Sequence, residues 1–527
     1  MYRVFEVRVE KEDVLDKQKH LFYVAKNLRI EASQIESLTI SKRSVDARKK
    51  NDIHYVFNFD ARIKKGTQIN PKCKIEKIEK KQKIQKNVRS KKHVVVVGSG
   101  PAGLFSALTL AKAGVNVTLL ERGKSAIERA KDVKNLLEKG VFNSKSNIQF
   151  GEGGAGTFSD GKLNTGIKSD FIKEVLETFH ENGAPEEILF DAKPHIGTDK
   201  LIQVVVNMRK QIENLGGKVL FESLFLDFEK ENNKIVVSFE RSGKIQKIVC
   251  DDVIFAFGYS ARDTITHLYE KGLNFSQKPF SVGYRIEHLQ SMINKSQFGE
   301  EQSKFLPPAD YKLVCHLGNG RTVYTFCMCP GGVVVPAQSE EGQLCTNGMS
   351  FHAREGENAN SAVLVSVDQS DYASDHPLAG MFYQIELEKR AYEKGQGKYV
   401  VSTFRDFKNQ KKCEKLGKVV PTIGVNGKLG NCFELLPKEL ALCIVQGIKE
   451  FGKKIHGFDQ DDAVLTGIET RSSAPFMIER YENLETNIQN IYAVGEGAGR
   501  AGGIVSSAVD GIKIANAIID KYIEEEK

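Results

Sequence analysis

The chain has 527 residues, more than one compact core holds, so two or three domains are expected. A composition of 40% hydrophobic and 27% charged residues excludes a largely disordered chain, and no apolar run reaches the roughly 18 residues of a membrane span. The net charge of +8 hints at nucleic acid, but Pro71 to Lys92 carry nine lysines and one arginine against two glutamates, which matches the whole excess.

With the remainder balanced, a nucleic-acid partner is not expected. Charges scattered from Arg3 onward exclude a secretory signal, and nine thinly spread cysteines suit reduced thiols better than a disulfide framework. These features point to a cytoplasmic protein.

In residues 1–70, Phe5, Val7 and Val9 alternate with Glu6, Arg8 and Glu10, the period of a half-buried strand. Leu21, Val24, Ala25 and Leu28 recur at helical spacing, and Ile53, Tyr55, Phe57 and Phe59 alternate again. A strand–helix–strand–strand order suggests a small α+β module of ferredoxin-like kind. Its basic patch (Lys42, Arg43, Arg48, Lys49, Lys50) reads as a solvated hairpin or a docking surface for an unidentified protein. Residues 71–92 read as a basic linker or exposed helix.

From His93 strands alternate with helices, the pattern of a parallel sheet. Val94 to Val97 form an apolar run suited to a strand buried on both faces. Gly98, Gly100 and Gly103 follow as GxGxxG, with Pro101 and Ala102 in the same turn. The first glycine permits the turn, the second admits a pyrophosphate, and the third lets helix and strand pack closely. A second strand delivers Glu121, followed by Arg122; an acid about 20 residues on can accept from a ribose hydroxyl. A third glycine-rich loop, counted after the GxGxxG turn and the glycines of the closing segment, runs from Phe150 to Leu163. Its Gly153, Gly154, Ala155, Gly156 and Thr157 can turn backbone amides toward a pyrophosphate or an isoalloxazine ring. Residues 93–265 thus read as the first segment of a dinucleotide-binding domain, ending after a strand that leads to Gly258. A mixed pattern over 266–464 reads as an inserted substrate or cap domain, and 465–527 as the closing segment. There Ile491 to Val494 form a strand, Gly495-Glu496 a turn, and Gly502-Gly503 the start of a helix from Ile504.

That closing segment, NIYAVGEGAGRAGGIVSSAVDGIKIANAI, resembles glutathione-reductase-type flavoproteins. The resemblance implies that the acid after the strand bonds the ribityl chain of FAD, and that the helix aims its N-terminus at the flavin. Glu496 stands where Asp is usual, and Phe257 where the family's Ala-Thr-Gly strand has Thr. Over nearly its full length the chain resembles an uncharacterised family of bacterial NAD(P)/FAD-dependent oxidoreductases, described as FAD-dependent dehydrogenases. The motifs are GEGGAGTFSDGKL, HIGTDKL (195–201), SVGYRIEH (281–288), FCMCPGG (326–332), NGMSFHAREGENANSAVLVSV (347–367), GIETRSSAP (467–475) and GEGAGRAGGI. The implied fold is α/β, a Rossmann-type FAD-binding domain split by the inserted α+β domain. No second strand–GxGxxG–helix unit occurs, so NAD(P)H is expected only as a transient co-substrate.

Hydride chemistry needs one group to hold substrate charge and another to move a proton. Arg354 and Arg471 are the first candidates, with His352 and Glu469. Arg285, Glu287 and His288 form a further set, and ordinary ion pairs are the competing reading for all of them. Cys327 and Cys329 would share one face of a strand. They read as a flavin-linked dithiol, a metal site with Cys345, His316 or His352, or buried apolar residues; no zinc-like pairs of CxxC occur and no metal is expected. The expected function is hydride transfer between flavin N5 and a small molecule. The alternatives are a tRNA-modifying flavoprotein steered by 71–92, and a non-catalytic flavin sensor or assembly factor that docks through the N-terminal module.

Overall fold

Period-two alternation builds the first sheet of the computed structural model, which describes residues 1–78, 86–300 and 303–527. Strands β1 (Tyr2–Glu10), β2 (Ile35–Asp46), β3 (His54–Ile63) and β4 (Ile75–Lys77) pair antiparallel in the order β2-β3-β1-β4. Val4, Val7, Val9, Phe57 and Phe59 share one core with the buried side of helix α1 (Lys17–Leu28). Asp16 caps that helix, accepting from the amides of Gln18 and Lys19 at 2.9 and 3.1 Å. The third strand lies between the first two, as in a split β-α-β unit. No helix joins β3 to β4, so half of the expected ferredoxin-like arrangement is present. The segment 71–92 is not all linker either, because β4 within it closes the sheet edge against β1. Its residues 79–85 lie outside the described ones. Arg43, expected on a solvated patch, straps the module to the rest of the chain. Its guanidinium meets Asp191 at 2.6 Å, and its backbone bonds Phe190 and Ala192 at 2.7 and 2.8 Å.

The next elements run in order as β5 (His93–Val97), α2 (Pro101–Lys112), β6 (Asn116–Leu120), α3 (Ala126–Lys139), α4 (Phe171–Glu181), α5 (Thr198–Asn214) and β7 (Lys218–Leu220). An antiparallel meander follows, β8 (Ser223–Glu231), β9 (Lys234–Arg241) and β10 (Lys244–Cys250), then β11 (Asp252–Phe255), α6 (Arg262–Glu270) and β12 (Phe275–Gln277).

The inserted region comprises β13 (Phe280–Leu289), α7 (Gln290–Phe298), β14 (Val314–His316), β15 (Thr322–Cys329), β16 (Val333–Pro336), β17 (Thr346–Met349), β18 (Asn358–Val367), α8 (Ala379–Gly395), β19 (Tyr399–Thr403), α9 (Phe404–Lys408), β20 (Gly427–Leu429), α10 (Lys438–Gly452) and β21 (Val464–Glu469). Its seven-stranded sheet has the order β14-β15-β18-β13-β21-β19-β20. Since β21 is an interior strand of this sheet, the inserted region extends past residue 464, beyond the boundary read from the sequence. The chain closes with β22 (Phe476–Ile478), β23 (Ile491–Ala493) and α11 (Ile504–Glu525).

The central sheet is parallel throughout, in the order β23-β11-β5-β6-β7. Val94 to Val97 are buried on both faces, each contributing roughly 1.5–3 kcal/mol. On one face α2 crosses α11 so closely that a Cβ at Gly511 would lie 2.3 Å from the Ala102 carbonyl oxygen. The order brings the turns after β23, β11 and β5 side by side at the carboxyl edge, where open α/β sheets bind their ligands. Among the described residues no helix is long and apolar enough to cross a membrane.

Candidate functional site

The GxGxxG turn has the backbone its sequence demands. Gly98 adopts φ +104°, and a Cβ there would sit 2.5 Å from the Ala256 carbonyl oxygen. A Cβ at Gly103 would lie 1.9 Å from the Gly98 oxygen, so only glycine permits this strand-to-helix approach. Gly100 faces open space, its nearest obstacle being Gly154 Cα at 3.9 Å. It precedes α2 with no side chain to cap the helix, and Pro101 occupies the first helical position. Among the described residues the amides of Gly100, Ala102 and Gly103 meet no protein acceptor. α11 starts the same way, on Gly503, leaving the amides of Ile504 and Val505 without one. Two uncapped helix starts therefore converge on one groove, with Gly156 against Ile504 and Pro101, and Gly495 against Ala102. Such a groove suits the phosphates and electron-rich edge of a dinucleotide.

Gly258 adds to the opening, with φ +71° and no atom within 4 Å of the place a Cβ would occupy. Phe257, the departure from the family pattern, lies under Gly497 and beside Phe255, with ring centroids 6.0 Å apart. Glu496 bonds the amide of Ala474 through Oε1 at 2.7 Å, and its other oxygen lies under exposed Gly502, with no protein donor among the described residues. The longer acid thus still offers an acceptor to the groove. Burial pushes its carboxyl upward, opposed by the Ala474 bond. Glu121 does more than await a ribose: it accepts from Ser99 N, Ser99 Oγ, Gly123 N and Gly151 N at 2.6–3.0 Å. It ties the first glycine turn to the third glycine-rich loop. Arg122 is held by Asp263 at 2.9 Å and lies 4.5 Å over the Phe150 ring.

The third loop is organised by a residue the sequence reading missed. Arg129 of α3 is fully buried and donates to the carbonyls of Asn147, Ile148, Gly151 and Glu152 at 2.8–3.2 Å. Burial draws its pKa down to about 10, so it remains charged. Its signal was a charge on an otherwise apolar stripe (Ala126, Val133, Leu136). Glu152 accepts from the first amide of α3 at 2.7 Å and from Arg209 at 2.8 Å. Gly153 and Gly154 pack on the GxGxxG turn, Ala155 is exposed, and Thr157 accepts from Thr198 Oγ1 through its carbonyl at 2.8 Å.

The far end of the same loop enters a second cluster. Asp160, buried at 1% side-chain exposure, pairs with Lys162 at 3.0 Å and with Arg354 Nε at 2.9 Å. Lys162 Nζ also donates to the Met328 carbonyl. Arg285 meets Glu469 at 3.1 Å, the Cys327 carbonyl at 2.7 Å and Cys329 Sγ at 3.3 Å. The His352 carbonyl bonds His195 at 3.0 Å, and the two rings stack at 5.2 Å. Burial and then Arg354 bring His195 down to about 4, and burial lifts Glu469 to about 7 against the pull of Arg285.

Arg354 and Glu469 thus gather near the cysteine pair, joined by Asp160 and Lys162 from within the motif GEGGAGTFSDGKL, while His352 packs with His195 and bonds the Ile196 carbonyl at 2.9 Å. Arg471 does not join the cluster. It grips Glu388 of α8 at 2.7 Å, which also takes Arg262 at 2.8 Å, and it reaches Ser339 at 2.6 Å. Burial raises Glu388, but the two guanidiniums outweigh it and hold the carboxyl at about 2. Glu287 is consumed by Thr422 and Asn358, and His288 by the Phe458 carbonyl at 2.7 Å. The proposed metal set is not assembled: Cys345 lies beside Thr470, and exposed His316 bonds Thr322.

A parallel sheet with glycine turns at adjacent carboxyl ends, two uncapped helix starts and a free acid over the groove define a dinucleotide-binding flavoprotein. The chain belongs to the FAD-dependent oxidoreductase family. Residues 279–472 match the family described as FAD-dependent protein, C-terminal domain-like, and 63–154 and 92–282 match pyridine nucleotide-disulphide oxidoreductase. Residues 1–62 match a domain of unknown function. An uncharacterized protein of Clostridium beijerinckii is 43% identical over 510 residues, covering 95% of both chains. Among solved structures, a flavoprotein/dehydrogenase from Cytophaga hutchinsonii overlaps 83% of this chain and 80% of its own, with 11% identity and a TM-score of 0.36. A geranylgeranyl bacteriochlorophyll reductase-like protein from Thermoplasma acidophilum gives 83%, 80%, 14% and 0.36.

Proposed function

We propose that the protein is an FAD-dependent dehydrogenase or reductase that exchanges a hydride with a small molecule bound between the parallel sheet and the inserted domain. The observation that carries this reading is the pair of uncapped helices, α2 and α11, converging on one glycine-lined groove. FAD, when bound, supplies the two-electron chemistry. The chain's own part is to bind and orient it. Gly100, Ala102 and Gly103 offer free amides for the pyrophosphate, Glu496 offers an acceptor for a hydroxyl, Glu121 holds the turn through its four bonds, and the first turn of α11 favours negative charge. Gly153 to Thr157 cover the groove. On the substrate side Arg354 provides fixed positive charge, and Glu469, with a carboxyl near neutrality, can hold or release a proton. Arg471 acts at a remove. Its guanidinium and carbonyl fix Ser260 and Tyr259 next to Gly258. NAD(P)H fits as a transient donor, since among the described residues only one all-parallel sheet is present.

The visible spectrum of the purified protein, followed by anaerobic addition of NADH or NADPH, tests this. A bound flavin bleached by either nucleotide supports a reductase fed by that donor. A bound flavin indifferent to both leaves a dehydrogenase reduced by its own substrate. Failure to bind FAD at all overturns the proposal.

A further inference from the structure

The cysteine pair lies at the far end of the glycine-rich loop, against Lys162 and Arg285, and has an electrostatic problem to solve. β15 breaks register with β18 between Phe326 and Cys329, and Cys327 takes φ +43°, a strained conformation for a residue with a side chain. The bulge folds the second thiol back, so that Cys329 Sγ lies 3.3 Å from the Cys327 carbonyl. Cys329 is fully buried, whereas Cys327 is half-buried, next to Lys162 whose side chain is 28% exposed.

Three cations face this pocket: Lys162 from the glycine-rich loop, Arg285 from β13 and Arg354 from the segment after β17. Among the described residues Asp160 pairs with Lys162 and Arg354, Glu469 pairs with Arg285, and Glu287, on the same face of β13 as Arg285, is taken up by Thr422 and Asn358; burial raises both glutamates toward the neutral form, Glu469 to about 7. His195 is neutral, and Tyr311, bonded to Ser361 at 2.9 Å, adds a further polar group to the wall. Buried charge is costly unless balanced. A thiolate is the one further anion these residues can supply.

We propose that Cys327 and Cys329 form a thiol-exchange site in which one negative charge, shared by the pair and paired with Lys162 and Arg285, attacks a small-molecule disulfide. The half-buried sulfur of Cys327 forms a bond to one sulfur of the disulfide, and the other sulfur leaves as a thiolate. The Cys329 thiol then gives up its proton and attacks Cys327, which expels the second half as a thiol. Two protein thiols are oxidised to one disulfide, and the small disulfide is reduced to two thiols. The bond from the Cys329 thiol, then Lys162 and Arg285, hold Cys327 below the ordinary thiol range against the penalty of burial, and Cys329 is driven above it. This site does not rest on the flavin reading and is testable without it.

The full-length protein is alkylated with iodoacetamide at pH 6.5, and each thiol's rate is read by peptide mass spectrometry. An ordinary thiol is about 1% ionised there. A full thiolate gains about 100-fold in reactive fraction and loses about tenfold in intrinsic nucleophilicity. Cys327 should therefore label about tenfold faster than Cys73 and Cys315, the other half-buried thiols. Lys162→Met should remove most of that advantage and Lys162→Arg should keep it. With bis(2-hydroxyethyl) disulfide the native protein should form the Cys327–Cys329 disulfide, and Cys329→Ser should stop at a mixed disulfide on Cys327. Labelling of Cys327 no faster than Cys73 and Cys315, or no adduct on Cys327 in Cys329→Ser, overturns the proposal. If Lys162→Met does not fold, the native pH profile decides alone, and a labelling midpoint at the ordinary thiol value overturns it.

Discussion

Replacing Arg129 by methionine keeps most of the side-chain volume and removes the guanidinium that holds the third glycine-rich loop. Of the four carbonyls it serves, Gly151 keeps a donor in the Gly154 amide and Glu152 keeps Thr157 Oγ1, while those of Asn147 and Ile148 are left with none. Two orphaned buried acceptors cost about 1–3 kcal/mol each, so the native loop loses about 2–6 kcal/mol. The lower figure already corresponds to about thirtyfold in an equilibrium. Because Gly151 to Gly154 pack on the GxGxxG turn, that loss should appear as weaker FAD binding, by tenfold or more. Quenching of flavin fluorescence on titration measures it, and limited proteolysis reports whether residues 141–168 open. Arg209→Met, which loses Glu152, the exposed Glu213 and a contact over the Phe221 ring but leaves Glu152 its bond from the Ala126 amide, should do less. Binding of FAD by Arg129→Met within twofold of the native protein, with no faster cleavage in that segment, would refute the assignment of Arg129 as the loop's organiser.

Glu121→Gln turns an amide NH2 toward donors that a carboxylate accepts; FAD affinity measured by titration should fall at least tenfold. Gly103→Ala places a methyl 1.9 Å from the Gly98 oxygen, and should give protein that neither binds FAD nor unfolds cooperatively by circular dichroism. The Glu469 carboxyl titrates at about 7 in the fold, above its unfolded range, so the folded state holds the extra proton between these values and stability falls as pH rises through that window. Urea unfolding at pH 5 and pH 8 should therefore show Glu469→Gln gaining on the native protein at the higher pH, by up to about 3 kcal/mol. Arg43→Ala removes a half-buried pair worth about 1 kcal/mol and should speed proteolytic release of the first 70 residues without changing the flavin spectrum.

The glycine turn was legible because its geometry is written in local order. Strand, glycines, helix and acid occupy one stretch, and the steric need at Gly98 and Gly103 admits no other residue. The second role of Glu121 was not legible, since its partner Gly151 lies a crossover away. The same holds for Arg129, whose four acceptors are backbone carbonyls with no residue type to recognise. Arg471 looked catalytic because it lies in a Ser-rich stretch after a strand. Its partner Glu388 sits on α8, within the mixed pattern of the inserted region, and only the packing of α6, α8 and the segment after β21 shows Arg262, Glu388 and Arg471 to be one buried ion cluster. The inserted domain was placed one strand short for a related reason. β21 is an apolar run that a parallel or an antiparallel sheet could equally use, and sequence period alone does not say which sheet it joins.

The loop from Phe150 to Leu163 connects the two sites, and its ends are fixed by different means. Arg129, Glu121 and Ser99 anchor the first half to the parallel sheet, where Gly153 and Gly154 close on the GxGxxG turn. Asp160 and Lys162 anchor the second half to Arg354 and to the Met328 carbonyl of the inserted domain. Between them Phe158 and the preceding Ile148 pack with Val335 and Met349. The loop is therefore the shared wall of both modules: apolar contacts hold its middle, and buried charges hold each end. A ligand that displaces the first half must work against Arg129, and a change of charge at the thiol pair acts directly on Lys162. Any coupling between the groove and the cysteines has this one continuous segment to travel through, and the charge balance around Lys162 sets how firmly its far end is held.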